Sequence, residues 1–437
     1  MQSRAFIKNI KVSNFKSFDK IDIELGKFTV VIGANASGKS NFISIFRFLK
    51  DVNQYGLDNA VSMQGGVDYF RNVTLGASKD FSLEWNASIS LDPIGYPTTL
   101  KVDSKRKLCS FNIKELTYRF SLRFAKRGKG YKVNEENMVV SFEIFELEPR
   151  RKALVRTQRK VTEGKINVAR DDKGRITYSI EPKESQIKIS DLLPLLHSAK
   201  RMKLARKTPR ELYFLDYELL LPISLILKNY LGAIAIYDID PRLSKRSTLI
   251  SGTTRLNSDG GNLAVVLKGI LDNKRSRDRI YRLMKEILPF IKRLSIDKFA
   301  DKSLITCVKE IYNEKKSLPA SLISDGTINL TALLVALYFE RTPLIIIEEP
   351  DRNIHPSLIS KLIGMMKDVS EKVGKQIIIT THNPEVVKST GIANLLLIYR
   401  KDNFSNITKP SKKKEVRDFL RNEIGVDELF VKNLLEE

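Results

Sequence analysis

One octapeptide limits what this chain can fold into more than any other feature. Gly33-Ala34-Asn35-Ala36-Ser37-Gly38-Lys39-Ser40 fits the pattern G-x-x-x-x-G-K-[ST]. It follows KFTVVIG, a continuous apolar run of the kind found in strands covered on both faces. It precedes SNFISIFRFLKDV, in which Phe42, Ile45, Phe46 and Leu49 fall on one helical face. A loop between such a strand and helix turns its backbone N–H groups, and the helix N-terminus, onto an anion. Gly33, Asn35, Ser37, Gly38, Lys39, Ser40 and Asn41 are therefore the candidate phosphate-binding residues. Lys39 is placed to neutralise β- and γ-phosphate oxygens, and Ser40 to ligate Mg²⁺.

Three further motifs lie in the second half. LIIIEE is a buried strand ending in the adjacent carboxylates Glu348 and Glu349. One of the pair can hold Mg²⁺ and the other can orient or deprotonate a water. Strand alternation predicts that their side chains diverge, so they are not redundant. Thr380-Thr381-His382-Asn383 ends the next buried strand, where His382 can sense a γ-phosphate. Ser324-Asp325-Gly326-Thr327 opens the helix INLTALLVALYFE. Ser324 there is a good N-cap, and a capped helix N-terminus suits a phosphate.

Strand–helix alternation from residue 303 onward predicts a parallel α/β sheet. Residues 262–294 read as helices. From about Phe81 to Ile180 the chain is instead a series of short strand-like runs, FSLEWNASISL, LTYRFSLRF, MVVSFEIFEL and RITYSIE, parted by turn or charge clusters. Residues 190–232 read as helical, and the tail after Asn403 as lysine-rich and then helical. The strand–loop–helix at the start and the α/β block at the end are expected to share one sheet, with the β-rich and helical middle inserted. The expected division is residues 1–90 as the first part of the phosphate-binding domain, 91–230 as the insertion, 231–402 as its second part and 403–437 as tail.

The net charge of +24 points to an acidic partner. It is uneven. Residues 101–210 hold 29 Lys and Arg against 13 Asp and Glu, an excess of 16, and the rest of the chain carries +8. The clusters at 150–152, 159–160 and 206–207 have few interleaved aromatics, so they suit phosphate contacts better than base reading. They equally suit an acidic protein. No run approaches the ~18 apolar residues of a membrane span. MQSRAFIKNIKVSNF alternates polar and apolar residues with no signal-peptide core. Cys109 and Cys307 form no disulfide framework and read as buried thiols. A cytoplasmic location without membrane attachment is expected. Trp85 reads as core and His197 as structural.

The four motifs together resemble the ABC-type ATPase heads of the RecF/SMC class. They resemble more closely the AAA-family proteins of bacterial anti-phage defence operons, including the ATPase half of the OLD family. The resemblance covers roughly residues 4–85 and 230–400, including Asn14-Phe15-Lys16-Ser17-Phe18 and Ser258-Asp259-Gly260-Gly261-Asn262-Leu263-Ala264. It implies a P-loop ABC-type ATPase head split between the two ends of the chain, carrying an inserted β-rich and helical basic lobe. It also implies a homodimer or higher oligomer with ATP sandwiched between protomers. In that assembly Ser324, Asp325 and Gly326 contact the neighbouring protomer's γ-phosphate, Glu348 serves Mg²⁺, Glu349 serves catalysis and His382 the switch, and residues 351–355 lie at the seam.

Three features depart from the broader family pattern. Ala36 stands where Gly is usual and removes no phosphate ligand; Glu348 stands where Asp is common, and its extra methylene points to slow turnover; Ser324-Asp325-Gly326-Thr327 differs from the transporter signature Ser-Gly-Gly-Gln. Gln64 is the candidate for the glutamine loop but reads as a surface turn. OLD-type proteins carry a nuclease after the ATPase. The about 37 residues after the last predicted strand hold no second carboxylate cluster, so a separate effector is expected. Three roles stay open: sensor or scaffold of a defence system holding that effector, a RecF-like repair ATPase clamping DNA through the insert, or a plain interaction protein with a degenerate ATPase site, which the presence of every expected ATP ligand disfavours.

Overall fold

The computed structural model describes residues 4–90, 95–102, 105–150, 153–181, 210–216, 223–250, 253–299, 301–313, 315–414, 416 and 425–431. By contacts the chain divides into two units, one of residues 1–25, 41–233 and 400–406, the other of residues 26–40, 234–399 and 407–437.

The first unit is built on an antiparallel sheet. β1 (Arg4–Phe15) lies between β2 (Phe18–Glu24) and β4 (Phe81–Ser90). Beyond β4 follow β6 (Lys105–Phe124), β7 (Tyr131–Arg150), β8 (Ala153–Arg170) and β9 (Ile176–Glu181), with β5 (Tyr96–Val102) also pairing β6. Helix α1 (Lys39–Tyr55) buries Phe42, Phe46, Phe48 and Leu49. Phe48 packs with Phe15, Phe70, Phe81 and Phe120 in one aromatic cluster, with centroids 4.8 Å apart for Phe48–Phe70 and 4.7 Å for Phe70–Phe81. Trp85 is buried and stacks on Tyr230, as a core residue would.

The strands are longer than the sequence runs. β6 and β7 each extend to 20 residues, and β8 has no period-2 pattern over its first half, where most side chains are exposed. It exists because β7 offers it a partner edge, paired from Glu136↔Arg170 to Arg150↔Ala153. Within 190–232 the described residues hold helices at Tyr213–Asp216 and Ile223–Gly232; 190–209 and 217–222, with His197 and the cluster at 206–207, lie outside them, as do Arg151 and Lys152. Gln64 is not a surface side chain: it is 7% exposed and ends the helix Leu57–Met63. Residues 1–25 and 41–90 group with the antiparallel sheet because β1 and β4 pair along most of their length, so residue 90 does not coincide with a boundary between the units.

A six-stranded sheet, most of it in the second unit, runs in the order β10 (Ala235–Tyr237), β15 (Leu344–Glu348), β16 (Gln376–Thr381), β3 (Phe28–Ile32), β17 (Leu395–Lys401), β18 (Phe404–Thr408). The contacts among the first five are parallel. β3 and β16 are buried at every residue, the condition of strands covered on both faces. A second small sheet joins β11 (Thr248–Leu249), β13 (Ser303–Glu310) and β12 (Ile291–Lys298), with β14 (Leu318–Pro319) on β13.

Helices α2 (Leu263–Asp272), α3 (Lys274–Ile287), α4 (Asp325–Tyr338), α5 (Pro356–Asp368) and α6 (Pro384–Thr390) complete the unit. The helical reading of 262–294 overran: Pro289 disfavours helical backbone at Leu288, and Ile291 already pairs with Glu310. The tail is not helical at once either, since β18 occupies 404–408 and the described helix is Val426–Val431. No helix among the described residues is long and apolar enough to cross a membrane. Cys109 and Cys307 are free and buried.

Candidate functional site

The parallel register brings three motifs to one sheet end. Ile32 of β3 pairs with Thr381 of β16, and Thr380 pairs with Glu348 of β15. The next residues along these strands are Gly33, His382 and Glu349. Ligands of open α/β sheets bind at this C-terminal end.

The loop from Gly33 to Ser40 has a backbone only part of which suits ordinary residues. A Cβ on Gly33 would lie 2.2 Å from the Ile398 carbonyl oxygen, and Gly38 has φ +118°, so both positions need glycine. Ala36 has φ +61°, a left-handed angle that costs an L-residue about 1 kcal/mol. That is why glycine is usual there, and the exposed methyl shows the loop accommodating a Cβ. Asn35 is exposed and Ser37 buried. The Lys39 ammonium folds back on the loop, donating to the carbonyls of Gly33 (2.8 Å) and Ala34 (3.0 Å). Burial lowers its pKa, and the nearby Glu349 carboxylate partly opposes this. Asn41 belongs to the first unit, where its amide donates to Ser17 Oγ at 2.8 Å.

The two carboxylates diverge. Glu348 reaches the phosphate loop, its Oε2 accepting from Ser40 Oγ at 3.4 Å. A hydroxyl and a carboxylate converging at the mouth of the loop form an oxygen donor pair suited to Mg²⁺, which takes few protein ligands and fills its shell with water and phosphate. Among the described residues no group of three or more His, Cys, Asp or Glu is placed to hold a metal. Glu349 turns away because β15 has ended. Its φ is +45°, and its N–H donates to the Thr380 carbonyl at 2.9 Å. Glu349 Oε1 lies 2.9 Å from His382 Nδ1, and Oε2 accepts from Arg352 Nη2 at 3.3 Å. Arg352 Nη1 donates to Asp238 Oδ1 at 3.1 Å. Burial works against the Arg352 charge, but Asp238 and Glu349 outweigh it and raise the pKa. The Thr381 hydroxyl donates to the buried Asp351 at 2.9 Å, tying the end of β16 to the loop after β15.

Sequence reasoning gave Arg352 no individual role and missed Asp238. The two lie 114 residues apart with no motif linking them. The only available signal was a basic residue three positions after a candidate base.

Ser324 caps α4, its Oγ accepting from Thr327 N–H at 3.2 Å. Asp325 pairs with Lys245. A Cβ on Gly326 would lie 2.4 Å from the Asn353 carbonyl oxygen. Within the stretch 258–264, Asn262 is buried; its Oδ1 accepts from Asn257 N–H at 2.8 Å and its amide donates to the Arg255 carbonyl at 2.7 Å.

A phosphate loop, a paired carboxylate strand end and a strand-end histidine, gathered at one edge of a parallel sheet, define a P-loop ATPase core of mixed α/β type. Residues 28–388 match the family described as AAA domain, putative AbiEii toxin, Type IV TA system, and the chain belongs to that family. It is also 37% identical over 54 residues to endonuclease GajA of Bacillus cereus (strain VD045), a match covering 12% of this chain and 9% of that protein. Among solved structures, the Smc head domain with an extended coiled coil from Pyrococcus furiosus aligns with a TM-score of 0.43 and 15% identity, covering 95% of this chain and all of that one. The SMC head domain from Thermotoga maritima aligns with a TM-score of 0.36 and 12% identity, covering 92% and 98% of the two chains.

Proposed function

We propose that this chain binds and slowly hydrolyses ATP, and that nucleotide drives its assembly into a homodimer or higher oligomer. The observation that carries the hydrolytic part is Glu349, held between His382 and Arg352 at the sheet end that bears the phosphate loop. In this reading Gly33, Asn35, Ser37, Gly38 and Lys39 hold the phosphates, with Asn41 next in the helix. Lys39 exchanges its two loop carbonyls for phosphate oxygens. Ser40 and Glu348 would hold Mg²⁺, which when bound would supply positive charge beside the phosphoryl oxygens. Glu349 takes the proton of the attacking water, and His382 shares that carboxylate so that it can report γ-phosphate occupancy. Ser324, Asp325 and Gly326 meet the nucleotide of a neighbouring protomer.

At the level of the cell we propose a sensor or scaffold of a bacterial anti-phage defence system, holding a separate effector. Family membership and the short likeness to an endonuclease support it. A DNA clamp of the RecF kind is favoured by one observation, the charge excess of 16 within residues 101–210.

The test of the site is a pair of variants. Lys39→Ala is expected to abolish binding of a fluorescent ATP analogue. Glu349→Gln is expected to retain binding, lose hydrolysis by roughly 10²-fold or more, and run as the larger species in ATP on size-exclusion with light scattering. Wild-type turnover by Glu349→Gln would remove Glu349 from the mechanism.

A further inference from the structure

We infer that Arg352 is a positioning residue for the Glu349 carboxylate, anchored in turn by Asp238. The inference rests on the ATPase reading above and adds to it the group that sets where the proposed base points.

The need for such a group follows from the backbone. Glu349 leaves the sheet at φ +45°, and Asn353, four residues on, has φ +61°. Non-glycine residues hold such angles only where their surroundings over-determine them. At Glu349 the β15–β16 ladder supplies one constraint through the N–H bond to Thr380. That fixes the main chain and leaves the side chain free about its own torsions. Two contacts fix the carboxylate, one per oxygen: His382 on Oε1 and Arg352 on Oε2. His382 meets the carboxylate through a single ring nitrogen, and among the described residues no second partner of its side chain is seen to hold the ring.

Arg352 is the better held of the two. Its guanidinium reaches Glu349 with one terminal nitrogen and Asp238, just beyond β10, with the other. Its own carbonyl accepts from the Asn329 amide of α4 at 2.7 Å, so the main chain of Arg352 is pinned as well. The planar fork of an arginine can serve two carboxylates at once in fixed geometry; a lysine ammonium keeps the charge without the fork. Asp238 thus keeps Arg352 extended across the loop, and Arg352 keeps Glu349 in one rotamer. The placement of a general base governs rate more than ground-state affinity, because a misplaced group costs near-attack geometry and leaves phosphate binding untouched.

The test is steady-state ATP hydrolysis with separate nucleotide affinities for wild type, Glu349→Gln, Arg352→Ala, Arg352→Lys, Asp238→Asn and the double variant Asp238→Asn with Arg352→Ala. Arg352→Ala is expected to lower kcat by roughly 10- to 100-fold with KM and ATP affinity unchanged. Arg352→Lys should recover part of the loss, and Asp238→Asn should give a smaller drop. The double variant should be no slower than Arg352→Ala, since Asp238 acts only through Arg352. A purely structural role would lower the melting temperature without this kcat-against-KM split or the rescue by lysine. If Glu349→Gln is inactive while Arg352→Ala turns over at the wild-type rate, or if Arg352→Ala raises KM at constant kcat, the inference falls and the ATPase reading stands. If the wild-type protein binds no ATP, the reading falls and takes the inference with it.

Discussion

Gly326 sits where two roles meet. In the proposed function it is a nucleotide contact of a neighbouring protomer. In the protomer itself it is a place of close approach: a methyl there would press to 2.4 Å against the carbonyl oxygen of Asn353, which already holds a left-handed angle. Backbone on both sides gives neither group room to yield. Gly326→Ala is therefore expected to destabilise the protein by about 1–3 kcal/mol without any nucleotide present, as read by urea denaturation. An unchanged midpoint would assign the glycine to ligand binding alone. The contrast with Ala36 is instructive, because its methyl is exposed and its cost is that of the angle only.

At the scale of elements, α4 is tied down at both ends. Ser324 caps its start, and Lys375, just before β16, donates to the carbonyl of Leu337 (2.7 Å) in its last turn and to that of Glu340 (2.6 Å) just past it. Lys375 is buried, and burial pushes its pKa down to about 8, with Glu340 opposing and Arg279 adding to the fall. The unfolded chain keeps the ordinary value of 10.5. Between about 8 and 10.5 the native state has lost a proton that the unfolded state retains, so this group makes stability rise with pH across that window. Below about 8 the folded protein bears the full cost of burying the charge. Lys375→Met should remove that rise, a difference read by comparing wild type and variant denaturation at pH 7 and pH 9.5; parallel pH dependences would show that the lysine keeps its proton.

How far the sequence discloses these elements depends on where the information lies. β3, β15 and β16 are legible because a strand buried on both faces must be apolar throughout, and the residues after them are local motifs. β8 is illegible because its first half is polar on both faces and its pairing is supplied by β7. Gln64 misleads because its turn is at the surface in composition, between Met63 and Gly65, while its side chain packs inward. The Asp238–Arg352–Glu349 chain is out of reach because it joins residues through the fold, where the paired strands β10 and β15 end side by side.

For the whole molecule the open choice is between a protein effector and DNA, and the charges of the antiparallel sheet bear on it. Many of its cations already have partners: Lys107 and Arg159 with Glu146, Lys114 and Lys160 with Glu143, Arg119 with Glu135, Arg123 with Asp80. Exposed pairs of this kind are individually worth under about 1 kcal/mol, so they do not forbid DNA. They do mean that a phosphate docking at these six cations must compete with a resident carboxylate. A protein surface of complementary mixed charge suits such a face better. The expected outcome is that Glu349→Gln, purified from its native host after nuclease treatment, brings down one protein in fixed ratio. Its affinity for added duplex should fall only shallowly with salt. A slope equivalent to roughly six to ten phosphates, with no protein recovered, would reverse the choice, because such a slope requires cations freed from their carboxylates and laid along a backbone.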